Sequence, residues 1–143
     1  MTTPTPTPTP TTPSILLKTR VLIVDDEPDF TLMMGMALRQ TGRYETREEN
    51  DARQTVAAAR EFKPDVVLLD VMMPEADGGD IAGDLKADDA TTHIPIIFLT
   101  ALVGNEETSL GGLLSGGHRF LPKPVSLAEL TQCIEEVSRK EPG

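Results

Sequence analysis

The 143-residue sequence has a single cysteine, Cys133. An intramolecular disulfide is therefore excluded, and the chain suits a reducing compartment. No apolar run approaches the roughly 18 residues that a membrane span needs, so no membrane insertion is expected. The N-terminus lacks a basic n-region and an apolar h-region, so no secretory signal is read and the expected location is cytoplasmic. Positive charge is also scarce: 13 Lys and Arg face 23 Asp and Glu, for a formal net charge of −10. Such a surface repels nucleic-acid phosphates and argues against direct nucleic-acid contact. It does not exclude one small phosphate, because a bound cation inverts the field locally.

What is present is enough chain for one domain with a real core. Residues 1–14 form a Thr/Pro-rich tail with proline at alternate positions from Pro4 to Pro10. Proline removes backbone donors and favours extended polyproline II, so the tail is expected to be a disordered spacer rather than a peptide-docking ligand. The folded domain is expected over residues 15–143.

From there strand and helix patterns alternate five times. A first strand, about Arg20 to Asp25, precedes a helix opened by Pro28 and closed near Gly42. Its apolar face is read as Phe30, Met33, Met34, Ala37 and Leu38. A weak, charged second strand near Tyr44–Glu48 suits a sheet edge, and Asp51 caps a helix from Ala52 to Phe62. The third strand ends at Asp70, and a loop with Pro74 and Asp77-Gly78-Gly79 leads to a helix carrying Ile81 and Leu85. The fourth strand, Ile96–Thr100, precedes a helix over Glu106–Ser115. That helix is weakened by Gly111 and Gly112, at about 1 kcal/mol each relative to Ala. The fifth strand runs to Pro122. Ser126 and Glu129 then form a capping box for a last helix that buries Leu127, Leu130, Ile134 and Val137. Short apolar runs suit strands buried on both faces of a parallel sheet. The fold class is therefore α/β, a doubly wound five-stranded parallel sheet with five helices. Pro122 belongs on an edge strand, which with the charged second strand gives the order 2-1-3-4-5.

In such sheets ligands bind beyond the carboxyl ends of the strands. Those ends here carry Asp25, Asp26, Asp70, Thr100 and Lys123. Each acid alone would be an ordinary cap or turn residue; together they make a site. Two like charges about 5 Å apart repel by roughly 3 kcal/mol at an effective dielectric of 20. A divalent cation removes that burden. Carboxylates and carbonyl oxygen suit Mg²⁺, with Mn²⁺ the alternative, whereas Zn²⁺ would want Cys or His. His93 and His118 fall in loops far apart and are read as solvated or structural. Lys123 is read as an ammonium aimed at Asp70, and Thr100 as a hydroxyl donor to the same oxygens. A cis Lys123-Pro124 bond is one way to hold the lysine inward.

The stretches Val21-Leu-Ile-Val-Asp-Asp-Glu-Pro28, Leu68-Leu-Asp-Val-Met-Met-Pro74, Ile94-Pro-Ile-Ile-Phe-Leu-Thr-Ala101 and Phe120-Leu-Pro-Lys-Pro124 together resemble the receiver domains of two-component response regulators. The likeness spans about Lys18 to Lys140 and implies the flavodoxin-like form of the fold. It further implies that Asp70 accepts a phosphoryl group from the phosphohistidine of a sensor histidine kinase or histidine phosphotransfer protein. Asp25, Asp26, Asp70 and the main-chain carbonyl of Met72 would hold Mg²⁺, while Thr100 and Lys123 would bind phosphoryl oxygens. Thr100 and Phe120 would form the switch pair, and Met72 and Leu102 would tune hydrolysis. Both are apolar and unable to orient a water, so a long-lived acyl phosphate is expected. The chain would be a signalling switch taking part in its own phosphorylation and dephosphorylation, not an enzyme acting on other substrates. With no output domain after Gly143, its signal is expected to pass to a downstream protein effector, with a homodimer through the fourth helix, fifth strand and fifth helix as one form of output.

On the first helix, Leu32 and Met36 fall outside the apolar face at about 100° per residue. They are read either as scattered surface apolarity or as a docking patch for the kinase or phosphotransfer helix bundle. A flavodoxin-type cofactor binder is set aside because Asp25-Asp26-Glu27 would repel its phosphate. An aspartyl phosphatase is set aside because Met72 stands where a second acid is needed. The remaining alternative is a phosphorylation-independent interaction module on the same fold.

Overall fold

The computed structural model describes residues 18–73, 76–100, 119–123 and 125–138. The Thr/Pro-rich tail, the expected helix over 106–115, Leu102, His118 and Pro124 lie outside the described residues. The parallel sheet is built from β1 (Thr19–Val24), β2 (Tyr44–Glu49), β3 (Val66–Asp70), β4 (Ile96–Thr100) and β5 (Arg119–Pro122). Its order is β2-β1-β3-β4-β5, with every neighbouring pair parallel. The described helices are α1 (Pro28–Gln40), α2 (Thr55–Phe62), α3 (Gly78–Ala87) and α4 (Leu127–Ser138). A short antiparallel ladder, Met72–Met73 with Ala76–Asp77, links β3 to α3.

The continuous apolar runs of β1, β3 and β4 are explained by burial on both faces. Leu22, Val24, Val67, Leu69 and Phe98 point to the layer that holds Ala58 of α2 and Leu85 of α3. Val21, Ile23, Leu68, Ile97 and Leu99 point to the opposite layer, with Leu38 of α1 and Leu130 and Ile134 of α4. Each such side chain, once fully buried, contributes about 1.5–3 kcal/mol. The edge strand β2 is instead charged and pairs outward with its surroundings: Arg47 reaches Glu61 at 2.7 Å, and Arg39 of α1 contacts Thr46 and Glu48.

Three local expectations need correction. On α1, Met33 is 58% exposed, and the buried face is Thr31, Met34, Gly35 and Leu38. Thr31 can face the core because its hydroxyl donates to the Pro28 carbonyl at 3.1 Å. On α4, Leu127 is 37% exposed at the very start of the helix, and the buried face begins one turn on with Leu130, Cys133 and Ile134. Asp51 does cap, accepting from the Arg53 amide at 3.0 Å, but it caps a short 3-10 turn, Ala52–Gln54, that leads into α2. The Ser126–Glu129 capping box is present, with the Glu129 amide donating to Ser126 Oγ at 3.1 Å. Gly42 follows α1 at φ +78°, a left-handed conformation that glycine adopts without steric cost.

Candidate functional site

Strand register brings the chemistry to one sheet edge. Val24 pairs with Leu69, Asp70 with Leu99, and Thr100 with Pro122. Hence Asp25, Asp70, Thr100 and Lys123 emerge side by side. Pro122 has no amide hydrogen, and the ladder resumes one residue later, where the Lys123 amide donates to the Thr100 carbonyl at 2.8 Å.

Asp25 is the most constrained of these residues. It is fully buried. Its amide extends the sheet by donating to the Glu49 carbonyl at 3.1 Å. Its carbonyl accepts from Asn50 Nδ2 at 2.8 Å, Oδ1 accepts from the Glu27 amide at 3.0 Å, and Oδ2 accepts from Lys123 Nζ at 2.7 Å. Asn50 also donates to Thr31 Oγ1 at 2.9 Å, which ties the loop after β1 to the first turn of α1.

Asp70, only 4% exposed, ends β3, and Asp26 is half-buried beside it. Carboxylate oxygens of Asp25, Asp26 and Asp70 lie within 4.8 Å of one another. Among the described residues, the Lys123 ammonium lies against this cluster. Lys123 Nζ is 3.8 Å from Asp70 and 4.0 Å from Glu27, so its shortest contact is with Asp25 rather than Asp70. Burial pulls the Lys123 pKa down, but the hydrogen bond to Asp25 and the charges of Asp70, Asp25 and Glu27 outweigh it. The ammonium is held above the ordinary lysine value.

Three clustered carboxylates facing one lysine leave an excess of negative charge in a poorly solvated pocket. The donor set is hard oxygen, with His93 exposed on the surface away from it, and such a set fits a small divalent cation. Thr100 is buried at the end of β4. Phe120 is half-buried and stacks on Phe98, its register partner in β4, with ring centroids 5.0 Å apart. Leu32 and Met36 are exposed at 50% and 45%, and with Met33, Asp29, Ala37 and Gln40 they line a shallow groove of about 360 Å³ on α1.

Sequence reasoning assembled the five strand-end residues but missed Asn50, Thr31, Glu27 and the ring of Phe30, which lies 4.3 Å from Lys123 Nζ. The available signal was position: Asn50 follows an edge strand at the same height as Asp25, and Thr31 is a polar residue at a core-facing helical position.

The family model for the response regulator receiver domain matches residues 21–135. The phosphate regulon transcriptional regulatory protein PhoB of Pseudomonas aeruginosa is 40% identical over 120 residues, covering 84% of this chain and 52% of PhoB. The DNA-binding response regulator MtrA of Mycolicibacterium smegmatis is 38% identical over 124 residues, covering 87% of this chain and 52% of MtrA. The chain thus spans about half the length of these curated relatives. Among solved structures, the receiver domain of a sensor histidine kinase from Pseudomonas aeruginosa, determined with a magnesium ion coordinated in its active-site cleft, has a TM-score of 0.73. It is 28% identical and covers 85% of this chain and 98% of that chain. The expectation of no nucleic-acid contact is not supported: a relative matched over only half its length is described as DNA-binding. Among the described residues, no helix is long and apolar enough to cross a membrane.

Proposed function

Because the chain belongs to the response regulator receiver domain family, we propose that it is a switch in which Asp70 accepts a phosphoryl group from a phosphohistidine. The donor would be a sensor histidine kinase or a histidine phosphotransfer protein. The P–N bond of the donor breaks, a bond forms between phosphorus and an Asp70 carboxylate oxygen, and the leaving imidazole takes up a proton. The observation that carries this reading is the convergence of Asp25, Asp26 and Asp70 within 4.8 Å, with Lys123 between Asp25 and Asp70.

Asp25, Asp26, Asp70 and the main-chain carbonyl of Met72 would hold Mg²⁺. When bound, the cation supplies charge neutralisation for the carboxylates and the phosphoryl oxygens. Lys123 contributes a second positive charge, and Thr100 a hydroxyl donor, to the phosphoryl group once it sits on Asp70. The half-buried Phe120 ring, stacked on Phe98 two residues before Thr100, is a side chain whose packing would respond to a rearranged Thr100. Met72 and Leu102 would leave hydrolytic water unoriented. The groove on α1, with Leu32 and Met36, would receive the helix bundle of the donor; its mixed lining, apolar Leu32, Met33 and Met36 with polar Asp29 and Gln40, suits a helical partner. Residues 15–143 would form the receiver domain, with residues 1–14 as a spacer. Output would pass to a protein effector, including an output domain such as the longer relatives have room for.

Incubation with acetyl phosphate and Mg²⁺, followed by intact-mass measurement, tests the reading. Addition of one phosphoryl group is expected, absent in Asp70→Asn and after removal of divalent cations. An unmodified mass would instead favour a phosphorylation-independent interaction module.

A further inference from the structure

Phe30 belongs to the first turn of α1, and its side chain packs against the core layer shared with α4. Its ring also meets a cation: Lys123 Nζ stands 4.3 Å from the ring centroid, well inside the roughly 6 Å over which a ring face attracts an ammonium. The Lys123 side chain is only 16% exposed, so water screens this attraction weakly. The backbone that carries the ring is held by hydrogen bonds. The Phe30 amide donates to the Glu27 carbonyl at 3.1 Å, and Asn50 bridges the Asp25 carbonyl to Thr31 Oγ1. The loop that fixes Asp25 therefore also fixes the helix turn that carries the ring.

The surrounding carboxylates do not settle by themselves where the ammonium rests. Asp25 and Asp70 draw it into the pocket, but Glu27, with its side chain 69% exposed, offers a partner at the rim. A long lysine stem can follow either pull. We propose that Phe30 is a positioning residue for Lys123, its ring confining the ammonium to the corner between Asp25 and Asp70, within reach of a phosphoryl group on Asp70. The proposal rests on the reading of Asp70 as the phosphoacceptor. An aliphatic residue at position 30 would fill much of the same volume and keep α1 packed, but it would not attract a cation.

The test uses the full chain with phenylalanine, tyrosine, leucine or 3,4,5-trifluorophenylalanine at position 30. Two quantities are measured: the rate of phosphorylation by acetyl phosphate with Mg²⁺, and the chemical shift of the Lys123 ε-methylene protons. In the parent, the ring current should move those protons upfield, and Phe30→Leu should return them to the ordinary lysine position. Phosphorylation should slow by roughly three- to thirty-fold in Phe30→Leu, the range spanned by such contacts once partly desolvated. The trifluorinated ring, close in size but with a less negative face, should also slow it, while Phe30→Tyr should lose less than roughly threefold because the face is retained. Parent-like rates in both the leucine and trifluorinated forms, or unshifted ε-methylene protons in the parent, would overturn the proposal. A parent that shows the ring-current shift but takes up no phosphoryl group would refute the Asp70 reading while upholding the Phe30–Lys123 contact.

Discussion

Replacing Asp26 by Asn should stabilise the domain when no divalent cation is present. Asp26 is half-buried, and its carboxylate lies within 4.8 Å of those of Asp25 and Asp70. At that distance, an effective dielectric of 20 gives about 3.5 kcal/mol of repulsion per pair. Partial exposure of Asp26 screens this, and Lys123 returns some attraction, leaving about 1–2 kcal/mol of net strain for the substitution to relieve. Urea denaturation in the presence of a chelator should register that gain, with a melting temperature higher by roughly 3–10 °C for a domain of this size. Adding Mg²⁺ should reverse the advantage. A ligand at ten times its dissociation constant stabilises the binding state by about 1.4 kcal/mol, and the parent, with its full carboxylate set, should gain more than the variant. Asp25→Asn should behave oppositely and destabilise the metal-free protein, because Asp25 is the direct partner of Lys123 at 2.7 Å. Lower stability of Asp26→Asn in chelator, or an identical Mg²⁺ response in the two proteins, would refute the electrostatic account of the pocket.

Tyr44 is the only tyrosine; burial, then the charge and hydrogen bond of Glu135, push its pKa up to about 12. The folded chain therefore holds this proton more tightly than the unfolded chain, so its contribution is complete below about pH 10 and is lost as pH rises towards 12. That contribution is worth about 1–3 kcal/mol; tyrosinate absorbance should report the high midpoint directly, and Tyr44→Phe should flatten the loss of stability over this interval. Asn50→Leu should cost about 1–3 kcal/mol in chemical denaturation, because the buried Asp25 carbonyl loses its donor. Met72→Asn should shorten the lifetime of the phosphorylated protein, read as loss of phosphate over time; rapid decay in the parent, little changed by the substitution, would count against an apolar brake. Leu32→Glu should slow phosphotransfer from a phosphohistidine donor while leaving phosphorylation by acetyl phosphate intact, and an unchanged rate from the donor would remove the α1 groove as its docking site.

The fold was legible because parallel strands buried on both faces leave a distinctive trace: Val21–Val24, Val66–Leu69 and Ile96–Leu99 are apolar runs too short for helices, each followed by a residue that cannot be in the core without purpose. Pro122 and the charges of Tyr44–Glu49 then fixed the two edges. Helix rotation was less legible. Hydropathy places Met33 on the buried face of α1, yet the structure exposes it and buries Thr31 and Gly35. Small residues allow α1 to lie close to the sheet, and Thr31 satisfies its hydroxyl internally, neither of which a hydropathy pattern registers. The pairing inside the pocket was also beyond reach. Which of two nearby aspartates takes the shortest lysine contact depends on ångström-scale placement, and here the Glu27 amide and Asn50 pin Asp25 where Lys123 meets it.

The sheet order has a consequence for the sequence of assembly. Strands β1, β2 and β3 are contiguous in the sheet and all lie within residues 19–70, so the first half of the chain can pair before β4 and β5 are available. That half already contains Asp25, Asp26 and Asp70, whereas Lys123 arrives only with the last strand. A partly folded chain would thus gather all three negative charges without their counter-charge. Docking of β5 would then complete the sheet and bring in Lys123, which offsets part of that charge and leaves the remainder for a cation to balance.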